Sequence, residues 1–276
     1  MSQPNGVKFA TTPLLSTGVR LHYAQRGDRG GEAILFLHGY TDSWFSFSGV
    51  LPLLSAEYHA FALTERGHGD SDKPECCYTV DDFAADVDAF MAALNIKEAT
   101  LVGGSGGGFI AQRVALDYPH RVSRLVLIAA GATLPDNETV MGLGEEMLAL
   151  EDPISPEFVR EFQESMMYHP GPVEVLDTVV SESLKLPARV WRDYWEGVAL
   201  APYVASRLGE IDAPTLLLWG EQDIILSRED QERLAEAIPG ATLKVYPETG
   251  HTVHWDRPEA VVRDLEAFMK DTPPAQ

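Results

Sequence analysis

Cysteine is nearly absent from this chain, with two residues, Cys76 and Cys77, in 276. They are adjacent, and sequence neighbours rarely meet the geometry of an unstrained disulfide, so no disulfide framework is expected to staple the fold. Two incidental loop thiols in a reducing cytoplasm is the expectation, since no third cysteine exists to complete a thiolate metal site. Positive charge is the second scarcity. Against 42 Asp and Glu stand only 21 Lys and Arg, a formal charge of −21. Such a surface repels nucleic acid and anionic membranes, favours neutral small molecules, and also serves solubility. Long hydrophobic runs are the third. No stretch of about 18 apolar residues occurs, and Met1 to Ala10 lacks the basic and apolar regions of a secretion signal. A cytoplasmic protein without a membrane span is therefore expected.

Apolar residues are nonetheless plentiful, at 45% of the chain, and they fall in short blocks. Ala33–Leu37, Tyr58–Leu63, Ala99–Val102, Leu125–Ala129 and Thr215–Trp219 are apolar runs of strand length, and Val19–Gln25 alternates as a half-buried strand expected at an antiparallel edge of the sheet. Between them lie helical patterns. Thr79 with Asp82 begins one as a capping box, with Phe83, Val87, Phe90, Met91 and Leu94 at helical spacing. The segment Trp44–Leu54 also reads as a short helix, as do Arg228–Ile238 and the stretch opening near Pro258, while Thr242–Tyr246 reads as the last strand. Thr272-Pro273-Pro274 is expected to fray. Alternation of this kind predicts an α/β domain: a mostly parallel central sheet with helices on both faces. Between Gly131 and Ile211 the alternation stops, and proline-punctuated helical segments take over. The expected division is a core of residues 1–131 and 211–276 with an inserted helical cap, 132–210.

The chemistry centres on Gly103-Gly104-Ser105-Gly106-Gly107, between the strand Ala99–Val102 and a helical stripe of Phe109, Ile110, Val114 and Leu116. A serine in G-x-S-x-G at a sharp strand-to-helix turn projects its hydroxyl above the sheet edge, over the free N–H groups of the helix start. Ser105 is the candidate nucleophile. A serine hydroxyl needs a base, and the base needs an acid to hold its tautomer and stabilise its cation. Asp223 follows one predicted strand and His251 follows the last, giving the chain order Ser, Asp, His. Glu221, two residues before Asp223, is the competing acid.

These stretches, with His38-Gly39-Tyr40 and Arg66-Gly67-His68-Gly69-Asp70-Ser71, resemble a capped serine esterase or lactonase of the α/β-hydrolase fold, from about Val19 to Met269. The resemblance implies a catalytic triad of Ser105, His251 and Asp223, and an oxyanion hole from the backbone N–H groups of Tyr40 and Gly106. It implies no metal and no organic cofactor. An aspartate nucleophile marks the epoxide hydrolases and haloalkane dehalogenases of this fold, and Ser105 argues against both. A carbon–carbon bond hydrolase stays an alternative, although its usual anionic substrates suit the charge poorly. A non-enzymatic ligand receptor on the same fold is another alternative, and perhydrolase or haloperoxidase activity would be a side reaction. The chain departs from the family pattern at Thr64, commonly Asp, and at Gly104 and Gly106, commonly larger; these small residues are expected to loosen the elbow or widen the pocket.

Other residues carry plainer readings. His38 is read as a loop-ordering hydrogen-bond partner, and Arg66 and His68 as braces of their turn. His254 lies three residues after His251, but without the Glu of an H-E-x-x-H pattern it is read as structural. Trp191, Tyr194, Trp195, Met166, Met167 and Tyr168 either line an acyl pocket or pack the cap, since both uses want large apolar side chains. The expected partner is a small-molecule ester or lactone, neutral and partly apolar; oligomeric state is not legible.

Overall fold

The computed structural model describes residues 6–135, 137–200 and 204–275. Eight strands form one sheet: β1 (Lys8–Thr11), β2 (His22–Gly27), β3 (Ala33–Leu37), β4 (His59–Leu63), β5 (Ala99–Gly104), β6 (Val122–Ile128), β7 (Thr215–Gly220) and β8 (Thr242–Tyr246). They are ordered β1-β2-β4-β3-β5-β6-β7-β8. The β1–β2 and β2–β4 pairs are antiparallel and every other pair is parallel. The central strands read as unbroken apolar runs because both sheet faces are buried. Leu35, Leu37, Leu101, Leu125, Leu127 and Leu217 point into one core. The intervening Ile34, Phe36, Val102, Val126, Ile128, Leu216 and Leu218 point into the other. The first core is closed by α1 (Val80–Ala93) and α2 (Gly106–Asp117), the second by α9 (Pro258–Asp271) through Val261, Val262, Leu265 and Met269. The fold is the α/β architecture expected.

Between β6 and β7 the described residues hold α3 (Glu138–Leu148), α4 (Pro156–Ser165), α5 (Val173–Ser183), α6 (Ala188–Tyr194), a π-turn at Trp195–Ala199 and a 3₁₀ segment at Ala205–Glu210. Prolines stand where three of these helices begin: Pro156 in the first turn of α4, and Pro172 and Pro187 at the N-cap positions of α5 and α6. After β7 come α7 (Arg228–Ala237), β8, α8 (Val253–Asp256) and α9. No helix among the described residues is long and apolar enough to cross a membrane.

Four local expectations need correction. Trp44–Leu54 is not one helix but two 3₁₀ turns, Trp44–Phe47 and Leu51–Leu53, divided where Gly49 and Pro52 deny the chain a continuous helical ladder. The antiparallel strand β2 is not the sheet edge, because β1, mostly exposed, pairs outside it. The C-terminal tail is tied down: Arg124 Nε donates to Thr272 O at 2.7 Å and the Ala275 amide to Ser123 O at 2.9 Å. Cys76 and Cys77 are joined as a disulfide in an exposed loop, not left as two thiols. The turn there puts Cys77 in the left-handed region (φ +75°), which brings the neighbouring side chains together.

Candidate active site

Ser105 sits at the end of β5 with φ +49° and ψ −117°, outside the regions that side-chain-bearing residues favour. The strain is held by neighbours: the Ser105 amide donates to Ile128 O at 2.8 Å, and Gly108 N donates to Ser105 O at 2.8 Å. Two glycines make the turn possible. A Cβ on Gly103 would stand 2.4 Å from Gly107 O, and one on Gly107 would stand 2.4 Å from both Leu37 O and His38 O. Backbone presses on backbone there, so only hydrogen fits. Gly104 and Gly106 have different surroundings. A Cβ on Gly104 would meet His254 and Phe47 at ordinary contact distances of 3.5 and 3.7 Å, whereas the space beside Gly106 is taken by the Tyr194 hydroxyl, so the missing side chain at Gly106 does not widen the pocket.

The loops after β7 and β8 bring two further groups to this serine. Gln222 N donates to Thr249 O at 2.9 Å, binding the loops together. His251 Nε2 lies 2.9 Å from Ser105 Oγ, and His251 Nδ1 lies 3.0 and 2.9 Å from the two oxygens of Asp223. The Asp223 side chain is wholly covered, and its Oδ1 accepts from Ile225 N at 2.8 Å and Leu226 N at 3.1 Å. A proton on Nδ1 facing this carboxylate leaves the Nε2 lone pair directed at the serine. Burial works to lower the imidazole pKa, but the Asp223 charge and hydrogen bond, with help from Asp42, override it and leave His251 above its usual 6.5. Glu221 is exposed and pairs with Arg228 at 3.3 Å, so of the two candidate acids Asp223 is the one at the histidine.

The loop after β3 closes over the elbow. A Cβ on Gly39 would come within 3.2 Å of Ser105 Cβ, so the backbone of His38-Gly39-Tyr40 lies against the serine. Gly106 opens α2, and its amide is among the first-turn groups that helix geometry leaves without an intrahelical acceptor. The loop's shape is set by His38, whose Nδ1 donates to Gly39 O at 2.8 Å while its Nε2 accepts from Glu65 N at 3.1 Å. Burial pushes this imidazole down to about 4, so it stays neutral. Arg66 forms a buried two-pronged pair with Asp86 at 2.6 and 2.7 Å and donates to Cys77 O. His68 Nδ1 donates to Arg66 O at 2.8 Å. Both residues thus brace their turn. His254 Nε2 lies 2.9 Å from Ser46 Oγ, and its ring stacks on Phe47.

Two small cavities meet at Ser105. One, of about 60 Å³, is apolar and lined by Phe109, Leu143, Phe162, Met166, Tyr194 and Trp195 among others. The other, of about 50 Å³, adds Asp42, Gln163, Thr252, His254 and Trp255. Tyr40 borders both, and its hydroxyl donates to Trp191 O at 2.9 Å. A larger surface depression of about 610 Å³, lined by Gln25, Arg29, Glu32, His59 and Lys97, contains none of the site residues. The large side chains of the segment between β6 and β7 therefore divide in use. Tyr194, Trp195 and Met166 face the site, Trp191 packs against Phe158 and Phe162, and Tyr168 is exposed.

Among the described residues one group has metal-ligand composition: His38, Glu65 and His68, whose donor atoms lie within 4.8 Å of one another. The three are unequally satisfied: both ring nitrogens of His38 are engaged, while His68 Nε2 and both Glu65 carboxyl oxygens have no hydrogen-bond partner among the described residues. His38 Nε2 already accepts from the Glu65 amide, and burial raises the Glu65 carboxyl well above its usual pKa.

Residues 32–258 match the family model described as the alpha/beta hydrolase fold. The chain belongs to that family. Among its relatives, an uncharacterized hydrolase, YugF, of Bacillus subtilis is 28% identical, covering 92% of this chain and 95% of that protein. Epoxide hydrolase 3 of Mus musculus is 27% identical, covering 96% and 78% respectively. The solved structure of an esterase from Exiguobacterium antarcticum superposes with a TM-score of 0.85 at 23% identity, over 95% of this chain and 99% of that one. In this α/β hydrolase the loops that bring Ser105, Asp223 and His251 together lie at the carboxyl ends of β5, β7 and β8.

Three participants escaped the sequence reading. Asp42 is buried and accepts from Ser46 Oγ at 3.0 Å; burial lifts its carboxyl to about 7 despite the hydrogen bonds of Ser46 and Gln163. Gln163, from α4, also donates to Thr41 Oγ1 at 3.1 Å and Ser183 Oγ at 3.0 Å. Glu65 has both carboxyl oxygens buried without a partner among the described residues. All three sit in polar stretches that read as solvated loop or helix surface, and no local periodicity marks them as internal.

Proposed function

We propose that this α/β hydrolase cleaves carboxylic esters or lactones of small, neutral, partly apolar compounds through Ser105, His251 and Asp223. The observation carrying this reading is the unbroken sequence of contacts from Ser105 Oγ to His251 Nε2 at 2.9 Å and from His251 Nδ1 to Asp223 at 2.9 Å. Ser105 Oγ attacks the ester carbonyl carbon while its proton passes to His251 Nε2. The carbonyl oxygen becomes an oxyanion held by the N–H groups of Tyr40 and Gly106, each donor contributing about 3 kcal/mol in the transition state. His251 returns the proton to the leaving alkoxide, and water, activated by the same imidazole, releases the acid from the acyl-enzyme. With a lactone the alcohol stays tethered to the acyl group. Residues 132–210 act as a cap over the two cavities, and no metal or cofactor takes part.

The small apolar cavity beside Ser105, about 60 Å³, supports short apolar acyl groups. The serine at the elbow separates this chain's chemistry from that of relatives named epoxide hydrolases, where the fold uses aspartate. Steady-state hydrolysis of p-nitrophenyl esters and simple lactones by the wild type and Ser105→Ala tests the reading, alongside labelling by a fluorophosphonate. Turnover is expected to favour short acyl chains and to fall by a factor of about 10³ or more in the variant, with labelling lost. Turnover that survives Ser105→Ala would overturn the assignment.

A further inference from the structure

Tyr194 is the last residue of α6, with 1% of its surface exposed, and its hydroxyl has no hydrogen-bond partner among the described residues. A buried hydroxyl without a partner costs free energy, so its persistence at a site asks for a ligand that supplies one. Its position is specific. A Cβ built on Gly106 would stand 2.4 Å from the Tyr194 hydroxyl oxygen, so the phenol occupies the place a side chain would take beside the first amide of α2. The same cavity is lined by Ser105, Gly106, Tyr40 and His251.

The aim of this hydroxyl is fixed. The Tyr194 ring packs edge-on against His68 and Phe83, at 5.3 and 5.1 Å between centroids, and lies 5.5 Å from Tyr40. Immediately after it the helix widens into the π-turn, where Leu200 N donates to Trp195 O at 3.0 Å. Such insertions re-aim the side chains around them and recur at functional sites. Burial, with the nearby Glu65 and Asp42 carboxyls, drives the phenol far above its usual pKa of 10.0. The group therefore keeps its proton and can only donate to an anion.

We infer that the Tyr194 hydroxyl is a third oxyanion donor, delivered by the inserted helical segment to the oxygen held by the Tyr40 and Gly106 amides. The inference rests on the serine hydrolase reading above. It also gives Gly106 a reason, since any side chain there would expel the phenol. A donor from this segment makes stabilisation of the transition state depend on how that segment sits over the elbow, which two backbone amides alone would not do.

Tyr194→Phe removes the hydroxyl and keeps the ring packing. The expected result is a fall of about 10²-fold in kcat with KM changed less than about threefold, and an equal fall in the rate of phosphonylation by a fluorophosphonate, whose P–O oxygen enters the same hole. Gly106→Ala should cause a similar loss by displacing the phenol, and in the Tyr194→Phe background it should cost much less. Rates for Tyr194→Phe within about twofold of wild type would overturn the inference, as would a rise in KM at constant kcat, which marks an interaction already made in full in the ground state. Strictly additive losses in the cycle would count against it equally. Wild-type labelling without ester or lactone turnover would defeat the substrate reading, yet the labelling ratio would still decide the role of Tyr194. A wild type that does not label would defeat both.

Discussion

Asp223 decides how the site answers pH. Its charge lifts the His251 imidazole above 6.5 against the pull of burial, and only the unprotonated imidazole can accept the serine proton. Activity should therefore rise with pH along a limb whose apparent pKa lies above 6.5. Asp223→Asn removes the charge but keeps the shape. The limb should then move to lower pH, and kcat should fall by about 10⁴, because the amide favours the wrong imidazole tautomer. A pH–rate profile of both proteins checks this, and a limb that stays in place would show that Asp223 does not set the imidazole's affinity for its proton. At this scale the sequence was informative where chemistry needs a fixed motif. Ser105, Asp223 and His251 were legible because each follows an apolar strand at a glycine-marked turn. Asp42, Glu65 and the aim of Tyr194 were not, because their importance comes from burial by residues far along the chain, such as Gln163 over Asp42.

The elbow is an element whose glycines are not equivalent, although the sequence presents Gly103, Gly104, Gly106 and Gly107 alike. Gly107 abuts the carbonyls of Leu37 and His38, which belong to the adjoining strand end and cannot retreat. Gly107→Ala should destabilise the protein by about 3 kcal/mol or more, as overpacking against backbone does. Gly104 is different. A methyl group there meets His254 and Phe47 side chains at 3.5 and 3.7 Å, ordinary contact distances. Gly104→Ala should change stability by less than about 1 kcal/mol. Urea unfolding of the two variants separates them, and equal effects would refute the distinction. Elements were legible where periodicity was long: the buried strands, and α1 with its capping box of Thr79 and Asp82. The four-residue β1, with no fully buried position, carried too short a pattern to see. Around Trp44 the aromatic spacing mimicked a helix that Gly49 and Pro52 forbid.

For the whole molecule, the alternation of strands and helices was enough to announce the architecture, while the arrangement of the inserted helices was not, since it depends on long-range packing such as Tyr40 against Trp191 and Trp195. That packing buries titratable groups of opposite kinds, and they shape stability in opposite directions. Burial keeps His38 down at about 4 and His254 at about 3, against 6.5 when unfolded. Below pH 6.5 the unfolded chain binds protons that these native imidazoles refuse, so stability falls as pH falls. Asp42, raised by burial to about 7 from 3.8, and Glu65, raised well above 4.5, behave conversely. Above those unfolded values the unfolded chain releases protons that the native carboxyls retain, so stability falls as pH rises. His251, also raised, adds to that decline above 6.5. Once the other histidines are neutral in both states, the carboxyls act unopposed, and maximal stability is expected near pH 6.5. Glu65→Gln replaces a titrating group with one that never ionises. Its melting temperature should decline less steeply than that of the wild type between about pH 6.5 and 9, the two curves converging towards acid. Parallel curves over that range would mean that Glu65 is ionised in the native protein, with its charge met by a partner other than the His38 and His68 imidazoles beside it.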